Sequence, residues 1–218
     1  MFRWTVRVFL LGTILIVLSI IAYSVINPPT TAYIVSESFR LEGVRRSWRA
    51  FEDISPEMPN AIVAAEDANF CTHWGFDMNA IRDAIEDGAG RGASTLSQQT
   101  VKNVFLWQGR SWFRKALEAM ITPVAEAIWS KRRILEIYMN VAEFDEGVFG
   151  VAAASEWYFG VDAADLSARQ AAALAVVLPN PKARSAKSPT AFLRKRAASV
   201  ADGAATIRAD GRSACFEG

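Results

Sequence analysis

The feature that most constrains this chain is an uncharged apolar run near its N-terminus. Residues 8–26 contain no charged side chain and are rich in Leu, Ile and Val. A helix of that length spans a hydrocarbon core of about 30 Å. Arg3 and Arg7 precede the run, and the next charged residue is Glu37. Because cationic residues flank the cytoplasmic end of such helices, we predict a single-pass inner-membrane anchor, with residues 1–7 in the cytoplasm and the bulk of the chain in the periplasm or otherwise outside the cytoplasm.

A cleaved signal peptide is the alternative interpretation of this run. The run is longer than the usual apolar region of a signal peptide, and no convincing small-x-small cleavage site precedes Asn27. The sequence therefore favours an uncleaved anchor.

The rest of the chain has the pattern of one mainly α-helical domain. With 218 residues, 51% of them hydrophobic, the chain suffices for one ordinary domain plus an appendage. Pro28 and its polar neighbours predict an extended stalk over residues 27–54, with a short strand around residues 33–35. The domain core is expected at 55–181 and a basic helix and tail at 182–218. Apolar residues at helical spacing predict helices at 55–67, 77–87, 94–106, 112–129, 131–141, 147–157, 167–177 and 189–208.

Composition excludes several classes of protein. The formal net charge is +1, from 24 basic and 23 acidic residues, so we expect no nucleic-acid partner, since nucleic-acid-binding domains are strongly basic. One His and two Cys cannot build a tetrahedral zinc site from N and S ligands. Cys71 and Cys215 are too few for a disulfide framework, and the sequence leaves open whether they form one bridge or stay free.

Charges of opposite sign lie in two adjacent blocks. Residues 66–87 hold six acids and one arginine, whereas residues 91–115 hold five bases and no acid. Glu66 ends the apolar run 61–65, so we expect its carboxylate to be partly desolvated, with a pKa raised towards that of a general base. The alternative is a helix-end acid in solvent. His73, the single histidine, is more typical of a structural hydrogen-bonding residue than of a catalytic base.

Polar residues of the basic block fall on one face of a predicted helix, where they can hydrogen-bond sugar hydroxyls and bind a phosphate. These residues are Thr95, Gln98 or Gln99, and Lys102. Lys102 and Arg110 together suit a diphosphate, because arginine offers a planar fork and lysine a point charge. Ser94 is a candidate N-cap for this helix.

A second carboxylate, Glu118, follows Arg114 and Lys115 at helical spacing. It forms either a surface salt bridge, contributing about 0.3–0.5 kcal/mol, or a carboxylate held in one rotamer within a cationic cleft.

Five motifs, in order, resemble those of the peptidoglycan glycosyltransferases of glycosyltransferase family 51, and in particular its monofunctional transglycosylases. E-D-x-x-F-x-x-H-x-G-x-D starts at Glu66, and G-[GA]-S-T-[IL]-[ST]-Q-Q-x-x-K-N starts at Gly92. R-K-x-x-E starts at Arg114, K-x-x-I-L-E-x-Y-x-N starts at Lys131, and the fifth motif starts at Gly147. The fourth and fifth motifs consist mostly of scaffold residues.

The resemblance covers roughly residues 55–181 and departs from the family pattern at residues 144–147. There the family has F-G-x-G, whereas this chain has Phe-Asp-Glu-Gly, and loss of a glycine changes the backbone conformations open to a turn.

The resemblance implies a mainly α fold, with a lysozyme-like helical catalytic lobe and a smaller membrane-facing lobe after one transmembrane helix. It implies that the enzyme joins lipid II to a nascent glycan strand through β-1,4 links, releases undecaprenyl diphosphate and has no transpeptidase activity. No cofactor is required, although some family members use a divalent cation; no protein cage for a metal is visible in the sequence. Membrane lipid and other cell-wall synthesis proteins are the implied partners.

The resemblance also implies roles for the candidate residues. Glu66 would take the proton of the acceptor hydroxyl, and Lys102 with Arg110 would stabilise the leaving diphosphate. Glu118 would organise the donor side by holding cations, namely Arg114, Lys115 or a bound ion. The residues expected to line the cleft are Ser94, Thr95, Gln98 and Gln99. Five apolar residues are expected either at the lipid interface or in the core: Phe105, Leu106, Trp107, Trp112 and Phe113.

Three other classes fit the sequence less well. A lysozyme-type muramidase also uses a glutamate but has no use for the pair Lys102 and Arg110. A bifunctional penicillin-binding protein needs S-x-x-K and K-T-G motifs, which this sequence lacks. A non-enzymatic anchor leaves the spacing of acids, amides and cations unexplained.

Overall fold

The computed structural model describes residues 2–86, 94–109 and 111–217, and this part of the chain is mainly α-helical, as expected. The helices are α1 Phe2–Tyr23, α2 Ala32–Arg40, α3 Glu57–Glu66, α4 Met78–Glu86, α5 Leu96–Phe105, α6 Trp112–Ile128, α7 Lys131–Val141, α8 Val151–Phe159, α9 Ala168–Ala175, α10 Ala191–Ala209 and α11 Ala214–Glu217. One small sheet has the strand order β1-β3-β2, formed by β1 Arg45–Arg46, β2 Glu143–Asp145 and β3 Val148–Phe149. Strand β3 pairs in parallel with β1 and antiparallel with β2.

All eight predicted helices are present, and the start of one was wrong. The sequence placed that start at residue 147, whereas α8 begins at Val151. The preceding residues form the β2–β3 hairpin instead, with Gly147 at φ +71° and Gly150 at φ +84°. These left-handed backbone conformations favour glycine and are incompatible with a continuous helix.

Six of the described helices have serine or threonine as their N-cap residue. In each, the hydroxyl accepts a hydrogen bond from a backbone N–H of the first turn, an interaction that stabilises a helix by about 1 kcal/mol. The N-cap residues are Thr31, Thr95, Ser111, Ser130, Ser167 and Thr190.

Residues 27–54 do not form the extended stalk that the sequence predicts. The prediction of a short strand around residues 33–35 was wrong, because these residues lie in α2, whose N-cap is Thr31. Further along, β1 pairs with β3, and the side chains of Phe51 and Ile54 are buried in the core. The segment after the apolar run is therefore built into the domain.

Two groups of helices carry the core. Helix α3 packs against α9 and α10, and α5 packs against α6 and α7. Met58, Ile62 and Leu135 are fully buried in these groups. A disulfide joins Cys71 to Cys215, which resolves the alternative that the sequence left open. It ties the C-terminal α11 to the segment after α3.

Among the described residues, one segment, Arg3–Tyr23 of α1, is long and apolar enough to cross a membrane by its length and composition. Three aromatic side chains from the 104–113 region are exposed, namely Trp107, Trp112 and Phe113. Leu106 is buried, and Phe105 packs against the core. The core interpretation is therefore confirmed for Leu106 and Phe105, whereas a lipid-interface position of the exposed aromatic residues stays a prediction.

Candidate active site

Glu66 is the last residue of α3, a helix whose apolar side chains are buried or half-buried. The carboxylate therefore stands at the edge of the core, partly shielded from water. Burial raises the pKa of Glu66, while a hydrogen bond from Gln99 and the nearby cations Arg196 and Lys102 act in the opposite direction. The expected desolvation of this carboxyl group is observed; its catalytic role stays a prediction.

A chain of hydrogen bonds orients Gln99 towards Glu66. Gln99 Nε2 donates to Glu66 Oε2 at 2.9 Å, and the Tyr138 hydroxyl donates to Gln99 Oε1 at 3.2 Å. An ionised carboxylate can only accept, so Glu66 requires the NH₂ end of the amide, and the Tyr138 hydroxyl donates to the amide oxygen at the other end. Tyr138 is buried and lies beside the candidate site, although the sequence analysis gave its motif mostly a scaffold role.

Lys102 lies one turn after Gln99 on α5. In the part of the chain that the structure describes, no side chain or carbonyl forms an ion pair or hydrogen bond with its ammonium. Burial lowers the pKa of Lys102, and the carboxylates of Glu118 and Glu66 oppose that change. A partly buried ammonium without a protein partner is suited to bind an anionic ligand.

Glu118 is buried between two cations of its own helix. Its side chain is 3% exposed, Arg114 Nη1 lies 2.8 Å from Glu118 Oε2, and the Lys115 ammonium bonds Oε1. Lys115 Nζ also donates to Ser94 Oγ at 2.8 Å, and the Ser94 carbonyl accepts a longer bond from Gln99 Nε2. One network thus runs from Glu66 to Glu118. The burial matches a carboxylate held in a cationic cleft rather than a surface salt bridge.

Asp67 joins the end of α3 to the start of α5. Its Oδ1 bonds His73 Nε2 at 2.9 Å, and its Oδ2 accepts the backbone N–H of Leu96 at 2.9 Å. A carboxylate at the first N–H of a helix also interacts favourably with the helix dipole. Asp67 therefore fixes Glu66 relative to α5, and His73 has the structural role that the sequence favoured.

The prediction that Thr95 and Gln98 line the cleft was wrong. Thr95 and Gln98 are buried in a capping box, in which the Thr95 N–H donates to Gln98 Oε1 at 3.1 Å. The Thr95 hydroxyl also donates to the Gly75 carbonyl at 2.7 Å. These side chains begin α5 rather than line the cleft, and the N-cap is Thr95, not Ser94. Arg110 lies outside the described residues.

A polar cavity of about 210 Å³ opens beside Gln99 and Lys102. Amide and charged side chains supply most of its wall. The further side chains that line it include Tyr33, Asn103, Gln108, Tyr138, Glu143, Asn180 and Lys182. Sequence reasoning missed Tyr33 and Lys182, because they belong to segments it assigned to a stalk and a tail.

The remaining residues of the fourth motif are scaffold, as expected. Lys131 Nζ donates to the His73 carbonyl at 2.8 Å. Asn140 bonds both the N–H and the carbonyl of Arg49, at 2.7 and 2.9 Å. These contacts fasten α7 to two loops.

The described side chains offer no preformed metal cage. Within residues 2–86, 94–109 and 111–217, no group of three or more His, Cys, Asp and Glu side chains is placed to hold a metal ion. The two carboxylate oxygens of Glu118 are already bonded by cations of its own helix.

Comparison with known proteins gives consistent matches. A family model described as Transglycosylase matches residues 34–205, a range that begins inside α2 and contains all five motifs. A biosynthetic peptidoglycan transglycosylase of Jannaschia sp. (strain CCS1) is 60% identical over 215 residues, which cover 98% of this chain and 90% of the relative. Proteins of the same name from Caulobacter vibrioides and Pseudomonas putida (strain KT2440) are 43% and 48% identical, over 91% and 87% of this chain and 89% and 83% of the relatives.

Proposed function

The chain belongs to the transglycosylase family, and from this premise we propose that it polymerises lipid II and releases undecaprenyl diphosphate as each β-1,4 link forms. It is a glycosyltransferase of peptidoglycan synthesis. The growing glycan on its lipid diphosphate is the donor, and a new lipid II is the acceptor. The lipid carries the activated leaving group, so the reaction needs no nucleotide cofactor. We assign no transpeptidase activity to the chain.

Glu66 is the proposed general base. The acceptor 4-hydroxyl oxygen forms a bond to C1 of the donor, the bond from C1 to the diphosphate oxygen breaks, and the hydroxyl proton passes to Glu66. The raised pKa supports this role, because it makes the carboxylate a stronger base. Gln99 bonds one carboxylate oxygen, which leaves the other for the proton. Attack opposite the leaving group inverts the α link to a β link.

Lys102 is proposed to stabilise the charge that develops on the departing diphosphate. The single observation that carries this proposal is its ammonium, which has no partner among the described residues and lies in the electrostatic field of Glu66 and Glu118. A fixed cation aimed at developing negative charge is an effective electrostatic catalyst. Arg110 is proposed as the second cation.

Glu118 is proposed to hold Arg114 and Lys115 in place for the donor diphosphate. Without this buried carboxylate the two cations would repel each other and spread into solvent. Ser94 is proposed to complete the arrangement, since its hydroxyl accepts from Lys115.

We propose that α1 is an inner-membrane anchor, with residues 1–7 in the cytoplasm and the catalytic domain in the periplasm. The apolar segment and the preceding arginines support this topology. The disulfide between Cys71 and Cys215 supports it independently, because disulfides persist in oxidising compartments. Exposed Trp112 is suited to the lipid interface.

The test is polymerisation of lipid II by the full-length protein and by Glu66→Gln, with Glu156→Gln as the matched control on an exposed surface of α8. We expect Glu66→Gln to lower the turnover by roughly 10²–10⁴-fold and the control to match the wild type. Near-wild-type polymer yield from Glu66→Gln would refute the base assignment. Shortening of preformed glycan, without polymer from lipid II, would indicate a muramidase instead.

A further inference from the structure

The C-terminal end of α1 is bound to the folded domain by side chains from beyond α6. Trp129 Nε1 donates to the Ile20 carbonyl at 2.7 Å. Arg133 Nε donates to the Tyr23 carbonyl at 2.8 Å, and its Nη2 donates to the Ile26 carbonyl at 2.9 Å. The last carbonyls of a helix have no partner within the helix and carry partial negative charge. Here the domain supplies both the donors and a cation.

Arg133 is itself held in place. Its Nη1 lies 2.7 Å from Glu136 Oε2, and the two side chains are only 11% and 15% exposed. The guanidinium thus uses three of its nitrogens at once, two on α1 and its following turn and one on Glu136. A freely moving tether would not order a shielded ion pair in this way.

The same contact reaches the two helices that carry the site. The Tyr23 ring stacks on Phe105 with centroids 6.1 Å apart, and Phe105 stacks on Trp129 at the same distance. Phe105 is the last residue of α5 and lies one turn after Lys102. Trp129 directly follows α6, the helix that carries Glu118. The end of the apolar helix is therefore packed against the supports of both charged groups.

We propose that Trp129 and Arg133 are positioning residues that hold α1 rigidly on the catalytic lobe and so keep the cleft at the bilayer surface. The diphosphate of a lipid-linked substrate lies at that surface, and a lobe free to rotate on a loose tether would present the cleft there only part of the time. The rate on a bilayer-embedded substrate then follows the docked fraction. This kinetic consequence rests on the proposed function, whereas the rigid docking does not.

Docking is tested by a spin-label distance measurement on the full chain in phospholipid vesicles. Labels are placed at Leu15→Cys in α1 and Glu156→Cys in α8, two exposed positions; the native cysteines are bonded to each other. We expect one narrow distance distribution in the wild-type background and a broad one after Arg133→Gln. Arg132→Gln is the matched control, because Arg132 bonds Glu52 and a carbonyl outside α1. A broad wild-type distribution, or an unchanged one in Arg133→Gln, would overturn the proposal.

The kinetic arm compares two substrates, lipid II in vesicles and a short-chain, water-soluble lipid II. We expect Arg133→Gln to lower the rate on vesicle-embedded lipid II relative to the rate on the water-soluble substrate roughly tenfold, since it removes two charge-assisted hydrogen bonds, one to α1 and one to the turn that follows it. Trp129→Phe, which keeps a ring but loses the N–H, lowers the ratio less, and Arg133→Lys partly restores it. An equal loss on both substrates would indicate a merely structural role and refute positioning. If the wild type polymerises neither substrate, the proposed function is refuted. The distance measurement would still test the rigid docking of α1 independently.

Discussion

Replacement of Gln99 by Met tests how the protein sets the basicity of Glu66. Met has nearly the same length as Gln but cannot donate the bond that Gln99 Nε2 makes to Glu66 Oε2 at 2.9 Å. Among the interactions that lower the pKa of Glu66, this bond is the largest. A hydrogen bond to a charged group contributes about 1.5–3 kcal/mol, and one pKa unit corresponds to about 1.36 kcal/mol. Because water replaces part of the lost bond at this partly exposed site, we expect the pKa of Glu66 to rise by about one unit.

The sign of the effect on activity follows from the proposed role. Glu66 must be ionised to accept a proton, so kcat/KM increases with pH through its pKa. In Gln99→Met this rise of kcat/KM with pH should move to higher pH by about one unit. At pH values above the shifted pKa of Glu66, the rate should largely recover. The assay is the initial rate of lipid II polymerisation over a pH series, with thermal unfolding to confirm that the variant is folded.

Tyr138→Phe is the control for this experiment. It keeps the bond between Gln99 and Glu66 but removes the hydroxyl that donates to Gln99 Oε1, so the amide is held less firmly and we expect a smaller shift in the same direction. In Gln99→Met, the rise of kcat/KM with pH could instead stay in place or move to lower pH. Either result would show that Glu66 is not the titrating base or that Gln99 does not act on it.

Three further outcomes are expected. Glu66→Gln should raise the midpoint of thermal unfolding at neutral pH, because burial holds the folded-state pKa above its ordinary 4.5 and ionisation therefore costs stability; the gain should vanish as the pH falls to 4.5, and a gain that grows at low pH would contradict the reasoning. Joint replacement of Cys71 and Cys215 by Ser should lower the free energy of unfolding by about 3–5 kcal/mol, since the bridge closes a loop of 144 residues; denaturant unfolding of oxidised and reduced wild type should differ by the same amount. Asp67→Asn should cost about 1–3 kcal/mol of stability and lower polymerisation, because it weakens the bond to the Leu96 N–H; unchanged values in both assays would refute its linking role.

Local patterns predicted the helices well. The spacing of apolar residues identified α3 and α5 to within two residues at either end, since amphipathic periodicity records which face is buried. The same logic identified Glu66, because a carboxylate directly after a buried run is desolvated wherever that run packs. It failed for Thr95 and Gln98, because a polar residue on the right helix face is also the residue type that caps a helix.

Contacts between distant segments were beyond local patterns. Tyr33 and Lys182 are 149 positions apart in the sequence, yet both line the cavity beside Lys102. Nothing in either neighbourhood points to the other, because their meeting depends on how α2 and the loop after α9 pack. The proline pair before α2 predicted an extended segment, and tertiary packing with a threonine cap produced a helix instead.

The turn at residues 144–147 shows how this chain accommodates its departure from the family pattern. The turn needs one left-handed residue, and Gly147 supplies it at φ +71°. A Cβ on Gly147 would lie 2.8 Å from Leu41 Cδ1, so the turn also packs directly against the end of α2. Asp145 takes the place of the family glycine and accepts a hydrogen bond from Trp157 Nε1 at 2.9 Å. Glu146, at the variable position of the pattern, forms an ion pair with Arg40 at 2.6 Å. Asp145 has no positive φ, so the substitution needs no glycine there, and it adds a bond between the turn and α8.

Two more bonds fasten the same helix to the cleft. Tyr33 donates to Glu143 of β2, and Lys182 Nζ lies 2.8 Å from the buried Glu37 carboxylate. Since Tyr33, Glu143 and Lys182 also line the cavity, α2 is one wall of the candidate site rather than a spacer before it. The apolar run is joined to this wall by only a short connection, residues 24–31, and its own end is bonded to Trp129 and Arg133. A segment fixed at both of these points restricts how the cleft can tilt relative to α1. The helix proposed as the membrane anchor therefore also bears on the site, because the backbone that follows it continues directly into the cavity wall.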